Sequence, residues 1–384
     1  MRIALVTDGI WPYVLGGMQK HSYYLCKYLS QQGVKIDLYH FNQSTLDIHS
    51  LSVFSDAERA NIRSILVPFP DSLKFPGHYL FRSLKHADAV YAEMLPHLAN
   101  YDFIYTKGFT GAKLIRMKSS GKIKCAPIGV NFHGYEMFQV PPSRYIWLQQ
   151  LLLLKNPVKW LSKQADVVFS YGGKITGIIE SIGVSKSNIE ILPSGVEKDF
   201  ITTDVKPVHQ PIRFLYLGRY ERRKGIEEIN QVISSLIQSN AHGAQFAFIG
   251  PLPESTQIHH PSVIYYGEVR DRNQLLSLIR ENDVLLCPSW SEGMPNVILE
   301  AMSQGLAVLA TDVGAVSGLV NTKTGWLLPS PSFIALKRTI LSIINKPNEV
   351  QAKKQAALNH LRDHFTWEKL SADLIQILQK RTAD

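Results

Sequence analysis

Residues 283–305 read DVLLCPSWSEGMPNVILEAMSQG and contain a strand, a loop and the start of a helix. The apolar run at 284–287 predicts a buried strand, and Asn296–Ser303 has helical character. Glu292 lies in the loop and Glu300 about one turn inside the helix. A helix N-terminus has unsatisfied N–H groups and about half a positive charge, so this segment suits an anionic ligand. The two carboxylates suit sugar hydroxyls, because an ionised carboxylate only accepts hydrogen bonds.

Strands and helices alternate from the beginning of the chain. Residues 2–7 predict a buried first strand, 18–32 an amphipathic helix and 34–40 the next strand. This β-α-β beginning predicts a doubly wound α/β domain with a parallel sheet. Further strands are predicted at 62–68, 103–105, 127–132, 167–171 and 189–192, and helices at 81–94 and 111–118.

The alternation lapses near residues 196–211, which are rich in Asp, Thr and Pro, and then resumes. We therefore predict two Rossmann-like domains that face each other across a cleft. The predicted divisions are a first domain at 1–197, a linker at 198–211, a second domain at 212–365 and a last helix at 366–384. In the second half, strands are predicted at 212–217, 245–249, 263–266, 284–287 and 307–310, and helices at 226–238, 272–281, 296–303 and 366–380.

The composition is that of a globular protein with more than one core. The chain has 384 residues, 45% of them apolar and 19% charged, with a net charge of +9. A basic surface suits nucleic acid, an anionic membrane or phosphorylated substrates, and a generally basic surface is an equal alternative. Three widely spaced cysteines predict neither a disulfide framework nor a zinc site.

The sequence has no stretch near the ~20 apolar residues of a membrane-spanning helix. The apolar run at residues 3–6 is too short for a signal peptide and is followed by Asp8. We therefore expect a cytoplasmic protein.

Several strand-end loops carry residues with binding chemistry. Gly16 and Gly17 open a helix, where backbone amides suit a phosphate, although a purely structural turn is an equal alternative. His133 follows an apolar strand, where it suits a phosphate or a sugar hydroxyl, although a surface or capping role is more common. Arg219 and Lys224 lie between glycines after the first strand of the second half, and two cations there suit a diphosphate.

Neighbouring features have simpler interpretations. Arg222 and Arg223 are interpreted as a solvated basic turn. The small residues at 310–315 are interpreted as a structural junction. No Asp-x-Asp pair, P-loop or Gly-x-Ser-x-Gly elbow occurs in the sequence, so no metal-binding carboxylate pair is evident.

Taken together, these motifs resemble the GT-B glycosyltransferases of the large retaining family 4, which includes bacterial lipopolysaccharide, capsule and mannosyl transferases. The most specific part is Pro288-Ser289, then Glu292 and Glu300 with seven residues between them, then Gly305 and residues 310–314. The resemblance covers nearly the whole chain. Supporting motifs are Gly16-Gly17, His133-Gly134, and residues 192–196 and 218–225.

The resemblance implies a donor site for a nucleotide sugar, in which UDP is the expected nucleotide. Glu292 would bind hydroxyls of the donor sugar, and Glu300 the ribose. Arg219 and Lys224 would bind the diphosphate and stabilise it as it leaves. The remaining implied donor-binding residues, mostly through backbone atoms, are Gly17, Val269, Gly293, Met294, Pro295, Asn296 and Val297.

The resemblance also implies the catalytic group His133, Arg219, Lys224 and Glu292, with His133 on the acceptor side near the transferred sugar. No cofactor and no metal are expected, so the cations and helix-end amides would meet the charge of the leaving diphosphate. Retention is compatible with front-face attack or with a covalent intermediate, and front-face attack is favoured because neither glutamate is clearly a nucleophile. The final helix would cross back to the first domain.

The expected acceptor is a glycan or a lipid-linked saccharide in cell-surface polysaccharide or lipopolysaccharide synthesis, and no nucleic acid is expected. Residues 145–163 are apolar and aromatic, with Lys155, Lys159 and Lys163 in the later part. They suit peripheral contact with the inner face of an anionic membrane. The alternative is a core or interdomain helix that breaks before Pro157.

Two other functions fit the same architecture. A nucleotide-sugar 2-epimerase would isomerise the sugar without forming a glycosidic bond. A non-catalytic nucleotide-sugar-binding protein would bind the donor and release no UDP.

Overall fold

The computed structural model describes residues 1–14, 16–41, 51–70 and 77–383. These residues divide into two compact units, each built on one parallel sheet. The predicted architecture of two parallel-sheet α/β domains is therefore confirmed. Within the described residues, the first unit takes Met1–Phe138, Ser143–Ser194 and the chain from Trp367 onward, and the second takes Gln139–Pro142 and Gly195–Thr366.

The first unit contains a seven-stranded sheet with the strand order β3-β2-β1-β4-β5-β6-β7. Its central strands are buried apolar runs, as expected for a parallel sheet covered by helices on both faces. The strands are β1 (Arg2–Val6), β2 (Lys35–His40), β3 (Ile62–Leu66), β4 (Phe103–Lys107), β5 (Ile128–Asn131), β6 (Val167–Ser170) and β7 (Ile189–Ile191).

Helices connect these strands. The first, α1 (Gly17–Gln31), packs its buried residues against the sheet and against the last helix of the chain, α14 (Trp367–Ala383). Trp367 stacks on Tyr24 of α1 with ring centroids 5.2 Å apart. The other helices of this unit complete the layers. They are α2 (Asp56–Arg59), α3 (His78–Met94), α4 (Ala112–Ser119), α5 (Arg144–Leu153), α6 (Lys155–Gln164) and α7 (Lys174–Ser181).

The second unit contains a six-stranded parallel sheet with the order β10-β9-β8-β11-β12-β13. Its strands are β8 (Ile212–Leu217), β9 (Ala244–Ile249), β10 (Val263–Tyr265), β11 (Val284–Cys287), β12 (Ala307–Thr311) and β13 (Gly325–Leu328). Its helices are α8 (Ile226–Gln238), α9 (Arg272–Arg280), α10 (Asn296–Ser303), α11 (Val316–Leu319), α12 (Phe333–Ile344) and α13 (Pro347–His364).

Each sheet has one place where the strand order reverses. In the first sheet it lies between β1 and β4, and in the second between β8 and β11. The connections leave such a pair of strands in opposite directions, which opens a crevice at their carboxyl ends where ligands bind in doubly wound sheets. The residues that follow these four strands are therefore the first to consider for function.

The predicted elements and the structure differ at a few places. β11, α8 and α10 have the predicted bounds, whereas β13, α12 and α13 were not predicted. Residues 198–211 group with the second unit, and the Thr202 N–H donates to the Ser303 carbonyl at 2.9 Å.

The apolar stretch at 145–163 forms two helices. α5 and α6 meet at Leu154, and Pro157 occupies the first turn of α6, where its missing N–H needs no partner. The predicted break before Pro157 is therefore confirmed, and it lies at Leu154. α5 has no buried residue, so the interpretation as a core helix is wrong for that part. Among the described residues, no helix has the length and apolar character needed to cross a membrane.

Candidate active site

Two loops meet at the carboxyl edge of the second sheet, where its strand order reverses. The loop after β8 passes through a short 3-10 turn, Arg222–Lys224, before α8. The loop after β11 leads through Glu292 into α10. The Trp290 N–H donates to the Arg223 carbonyl at 2.8 Å, so the two loops are joined through their backbones.

Glycines allow the backbones of these loops to approach closely. Gly225 has φ +72°, and a Cβ atom there would overlap the carbonyl oxygen of Pro288. Gly314 has φ +56°, and a Cβ atom there would overlap the carbonyl oxygen of Glu292. Both conformations favour glycine, and they let one backbone segment approach Pro288 and another approach Glu292.

Glu292 is the buried centre of the site, with 4% of its surface exposed. Its Oε1 accepts hydrogen bonds from Lys224 Nζ at 2.6 Å and from Ser289 Oγ at 2.8 Å. Its Oε2 lies 3.3 Å from Arg223 Nη1. Burial acts to raise the pKa of Glu292, but the charges of Lys224 and Arg223 outweigh it and hold the pKa below its usual value. The carboxylate is therefore ionised at neutral pH.

The arginines of the first loop differ in their contacts. The Arg219 side chain is 74% exposed and pairs with Glu221 Oε1 at 2.7 Å. Arg223 bonds Glu292 and also pairs with Glu221, while Arg222 pairs with Glu228 at 2.8 Å. The interpretation of Arg222 and Arg223 as a solvated basic turn is wrong, because both guanidinium groups make ion pairs within the unit.

The loop after Glu292 begins α10 without a polar cap. Met294 and Pro295 are buried, and the carbonyl of Gly293 accepts the Ala315 N–H at 2.8 Å. Asn296 and Val297 are the first two residues of α10, and Pro295 is its N-cap residue. Proline has no side-chain acceptor for the N–H groups of the first helical turn. Glu300, half-buried, follows one turn later.

Three of the predicted residues lie elsewhere. Val269, half-buried, is in the loop after β10 of the second unit. Gly17 and His133 belong to the first unit, where Gly17 is the exposed first residue of α1 and His133 follows β5. The structure thus brings Lys224 and Glu292 into contact and places the exposed Arg219 in the same loop as Lys224.

His133 has protein partners at both ring nitrogens. Its Nε2 lies 3.4 Å from Lys107 Nζ, and its Nδ1 is hydrogen bonded to the Tyr171 hydroxyl. Burial, and then the charge of Lys107, hold the pKa of His133 well below its usual value. A neutral imidazole has one donor and one acceptor, and both are already engaged in these contacts.

Sequence reasoning missed two residues at Glu292. Arg223 carries a visible signal, because it is next to Lys224 in a glycine-bounded loop. Gln139 carries none: its Nε2 donates to the Glu292 carbonyl at 2.6 Å, and its Oε1 accepts the Glu292 N–H at 3.3 Å. The side-chain amide of Gln139 thus binds both backbone groups of a residue 153 positions away.

Two family descriptions match most of the chain. Residues 15–200 match Glycosyltransferase Family 4, and residues 211–346 match Glycosyl transferases group 1. The chain belongs to this glycosyltransferase family. The motifs at Glu292, Glu300 and Lys224 lie in the second matched segment, and Gly17 and His133 in the first.

Individual relatives agree with this assignment. TuaC of Bacillus subtilis, described as a teichuronic acid biosynthesis glycosyltransferase, is 34% identical over 33% of this chain and 31% of its own length. WcaL of Salmonella typhimurium, described as a colanic acid biosynthesis glycosyltransferase, is 24% identical over 72% of this chain and 70% of its own length. The match with TuaC therefore spans about a third of that relative.

A solved structure supports the fold. HepE of Anabaena in complex with UDP superposes with a TM-score of 0.69 at 15% identity, covering 99% of this chain and all of that chain. At this identity the likeness concerns the fold alone.

Proposed function

We propose that this protein is a retaining glycosyltransferase that moves a sugar from a UDP-linked donor to a glycan or a lipid-linked saccharide in cell-surface polysaccharide or lipopolysaccharide synthesis. The observation that carries the proposal is the contact of Lys224 and Arg223 with the buried Glu292 carboxylate, at the reversal of strand order in the second sheet. That edge is where ligands of doubly wound sheets bind. The relatives in polysaccharide synthesis and the UDP complex of HepE support the acceptor class and the nucleotide.

In this proposal the donor's diphosphate binds two cations of the loop after β8, the exposed Arg219 and the half-buried Lys224. Arg219 offers a planar fork for two oxygens, and Lys224 offers a mobile ammonium. The N–H groups at the start of α10 add further donors. These groups meet the negative charge of the leaving UDP, so we propose that transfer needs no divalent metal.

Glu292 and Glu300 have separate roles in the proposed donor complex. Glu292 accepts hydrogen bonds from hydroxyls of the donor sugar, and Glu300 binds the ribose. Oε1 of Glu292 already accepts from Lys224 and Ser289, and Oε2 accepts from Arg223, which leaves one lone pair of Oε2 for the sugar. The other proposed donor contacts are Gly17, Val269, Gly293, Met294, Pro295, Asn296 and Val297.

We propose front-face attack as the route to retention. A covalent intermediate needs a carboxylate that is free to form a bond to the sugar. The Glu292 carboxylate is instead bound by a lysine, an arginine and a serine, which lowers its nucleophilicity. His133 borders the acceptor in this proposal.

The acceptor side includes a surface suited to a membrane. On α5, 70% of Tyr145 and 68% of Leu152 are exposed, and Trp147 is exposed as well. Lys155 and Lys159 follow on α6. Exposed aromatic and aliphatic residues beside lysines are typical of helices that bind anionic bilayers, so we propose that this face docks the enzyme on a membrane that holds a lipid-linked acceptor.

Vesicle co-sedimentation tests this docking. The wild type should bind vesicles that contain phosphatidylglycerol and should bind neutral vesicles weakly. The variant Leu152→Glu should lose most of the binding, whereas Ile264→Glu, at an exposed strand residue of the second unit, should not. Equal binding by wild type and Leu152→Glu would contradict the membrane proposal and leave the donor proposal intact.

A thermal-shift panel of nucleotide sugars tests the donor. A ligand that binds the folded state raises the melting temperature by mass action. We expect UDP sugars to give the largest shifts, and the selected donor to release UDP with formation of a glycosidic bond when a saccharide acceptor is added. Sugar isomerisation without UDP release would favour an epimerase, and binding without any turnover would favour a non-catalytic protein.

A further inference from the structure

A second cluster of polar side chains lies at the carboxyl edge of the first sheet. Lys107 is the last residue of β4 and is completely buried, with 0% of its surface exposed. Asp8 follows β1, and His133 follows β5. β1 and β4 are the strands at which the order of this sheet reverses, so the cluster occupies the same topological position as Glu292 does in the second sheet.

The amine of Lys107 connects two histidines. Lys107 Nζ lies 2.7 Å from His21 Nδ1, on α1, and 3.4 Å from His133 Nε2. It also lies 5.2 Å from the centre of the Tyr105 ring. On the far side of His133, Nδ1 bonds the Tyr171 hydroxyl. The His133 ring is thus fixed at both nitrogens.

The protonation states limit the possible directions of these bonds. Burial lowers the pKa values of His21 and His133 well below the usual value, so both rings are neutral at neutral pH. The amine of Lys107 can donate to both His21 Nδ1 and His133 Nε2, whereas a neutral amine can also accept one of these bonds. When the amine donates to both rings, the proton of the His133 ring lies on Nδ1 and faces Tyr171.

A buried amine is an unfavourable way to fill this position. Burial lowers the pKa of Lys107 well below its usual value, and the carboxylate of Asp8 only partly opposes that effect. An apolar residue of similar volume in place of a buried charge is often neutral or stabilising. A purely structural role therefore gives no reason for a lysine here.

We propose that Lys107 is a positioning residue for sugar transfer, which holds the His133 ring in its Nδ1–H tautomer and in one orientation beside the acceptor. The proposal rests on the proposed function, in which His133 borders the acceptor. Misplacement of a group by about 1 Å costs on the order of 100-fold in rate, which is the size of effect expected when this bond is lost.

The first test uses the wild-type protein, so that folding of a variant does not limit it. Nitrogen-15 NMR of the histidine side chains, assigned with His21→Gln and His133→Gln, reports which ring nitrogen of each histidine carries the proton. We expect the Nδ1–H tautomer of His133. The Nε2–H tautomer or a charged ring at pH 7 would overturn the proposal. This result does not depend on turnover, so it holds even if the proposed function fails.

The second test compares Lys107→Met with Lys118→Met. Lys118 is a matched control, because its Nζ also bonds two groups of the first unit, Asp166 at 2.8 Å and the Ala126 carbonyl at 3.0 Å. Turnover is measured as UDP release from the donor selected by thermal shift, with a saccharide panel as acceptors. We expect Lys107→Met to lose about 100-fold in kcat, with the donor KM within twofold of wild type.

Stability separates this role from a structural one. Lys107→Met should melt at or above the wild-type temperature, with a His133 tautomer signal that is changed or averaged. Lys118→Met should keep both the tautomer and the turnover. Wild-type turnover in a folded Lys107→Met variant, or a loss of stability with an unchanged tautomer, would overturn the proposal. Inactivity of the wild type with every donor would instead contradict the proposed function.

Discussion

The two clusters occupy equivalent edges of the two sheets but have opposite electrostatics. In the second unit the Glu292 carboxylate is bonded by Lys224 and Arg223, so opposite charges meet and the pKa of Glu292 falls. In the first unit the Lys107 amine faces neutral His21 and His133, and its own pKa falls because burial dominates. Charged groups are thus paired around Glu292 in the second unit, whereas burial favours the neutral forms of Lys107, His21 and His133 in the first.

This difference indicates separate tasks. A site with paired charges can exchange one partner for a charged ligand, as when a diphosphate takes the lysine from a carboxylate. A site of buried neutral rings has no spare charge to offer and instead fixes the geometry of its members. Substitutions at the two edges test this difference.

The largest effect is expected for Lys224→Ala. It removes the proposed diphosphate contact and leaves Glu292 with one cation, so turnover should fall by about 100-fold or more. The free energy of unfolding should also fall by about 2 kcal/mol, because a buried carboxylate loses its best partner. UDP release and chemical denaturation measure the two effects.

The matched control is Lys337→Ala, which removes one lysine bond, to Ser235 Oγ at 2.7 Å, elsewhere in the second unit. It should retain wild-type turnover. Near-normal turnover in both Lys224→Ala and Glu292→Ala would remove the basis for the donor site.

A double variant separates stability from function in the same cluster. Lys224→Met combined with Glu292→Gln removes both charges, so it should recover at least half of the stability lost in Lys224→Met. Its turnover should stay as low as that of either single variant. Denaturation curves for the three variants measure the coupling, and additive losses of stability would contradict a direct Lys224–Glu292 interaction.

The next effect concerns pH and the first cluster. Burial raises the pKa of Asp8 to about 6, even though Gln19 donates to its carboxylate at 2.9 Å. An unfolded aspartate has a pKa near 3.9, so the folded protein binds the Asp8 proton more tightly than the unfolded chain does. This tighter binding stabilises the folded state fully below pH 3.9, and the stabilisation is lost as the pH rises through 6. Asp8→Asn should therefore gain about 3 kcal/mol over wild type above pH 7 and little at pH 4.

Denaturation at a series of pH values measures this gain. Asp56→Asn is the control, because its exposed side chain pairs only at the surface with Arg59. A gain in stability that is the same at pH 4 and pH 7.5 would contradict a raised pKa of Asp8.

The smallest effect is expected for Gln139→Ala. The Gln139 amide bonds both backbone groups of Glu292, and each such bond contributes about 1 kcal/mol. The donor KM should rise about fivefold while kcat changes little, as steady-state kinetics would report. Gln257→Ala, which removes a bond to the Leu252 carbonyl at 3.1 Å, is the matched control and should leave the donor KM and kcat unchanged. An unchanged donor KM for Gln139→Ala would mean that the loop needs no such support.

The sequence predicted the elements with strong periodicity. β11 and α10 have the predicted bounds because a four-residue apolar run, a proline and a helical pattern follow one another. β13 was missed because four residues, Gly325–Leu328, give no period. The break between α5 and α6, at Leu154, was predicted from Pro157, because a proline is tolerated in the first turn of a helix and not in its interior.

The site was predictable only where its chemistry is local. Glu292 and Lys224 lie in glycine-bounded loops that follow strands, a pattern that is visible without contacts. Lys107 and His21 are 86 residues apart, and Gln139 and Glu292 are 153 apart. Such partners depend on the order of the strands, which determines which loops are neighbours. No short segment of the sequence reveals that order.

Binding of UDP by calorimetry tests the donor site most directly. Wild type and Lys337→Ala should bind UDP with one site per chain and equal affinity, and Lys224→Ala should bind at least 30-fold more weakly, in line with the loss of about 2 kcal/mol from a charged hydrogen bond. Equal UDP affinity in Lys224→Ala and wild type, or no binding of UDP to any of the three, would contradict a donor site at Lys224 and Glu292.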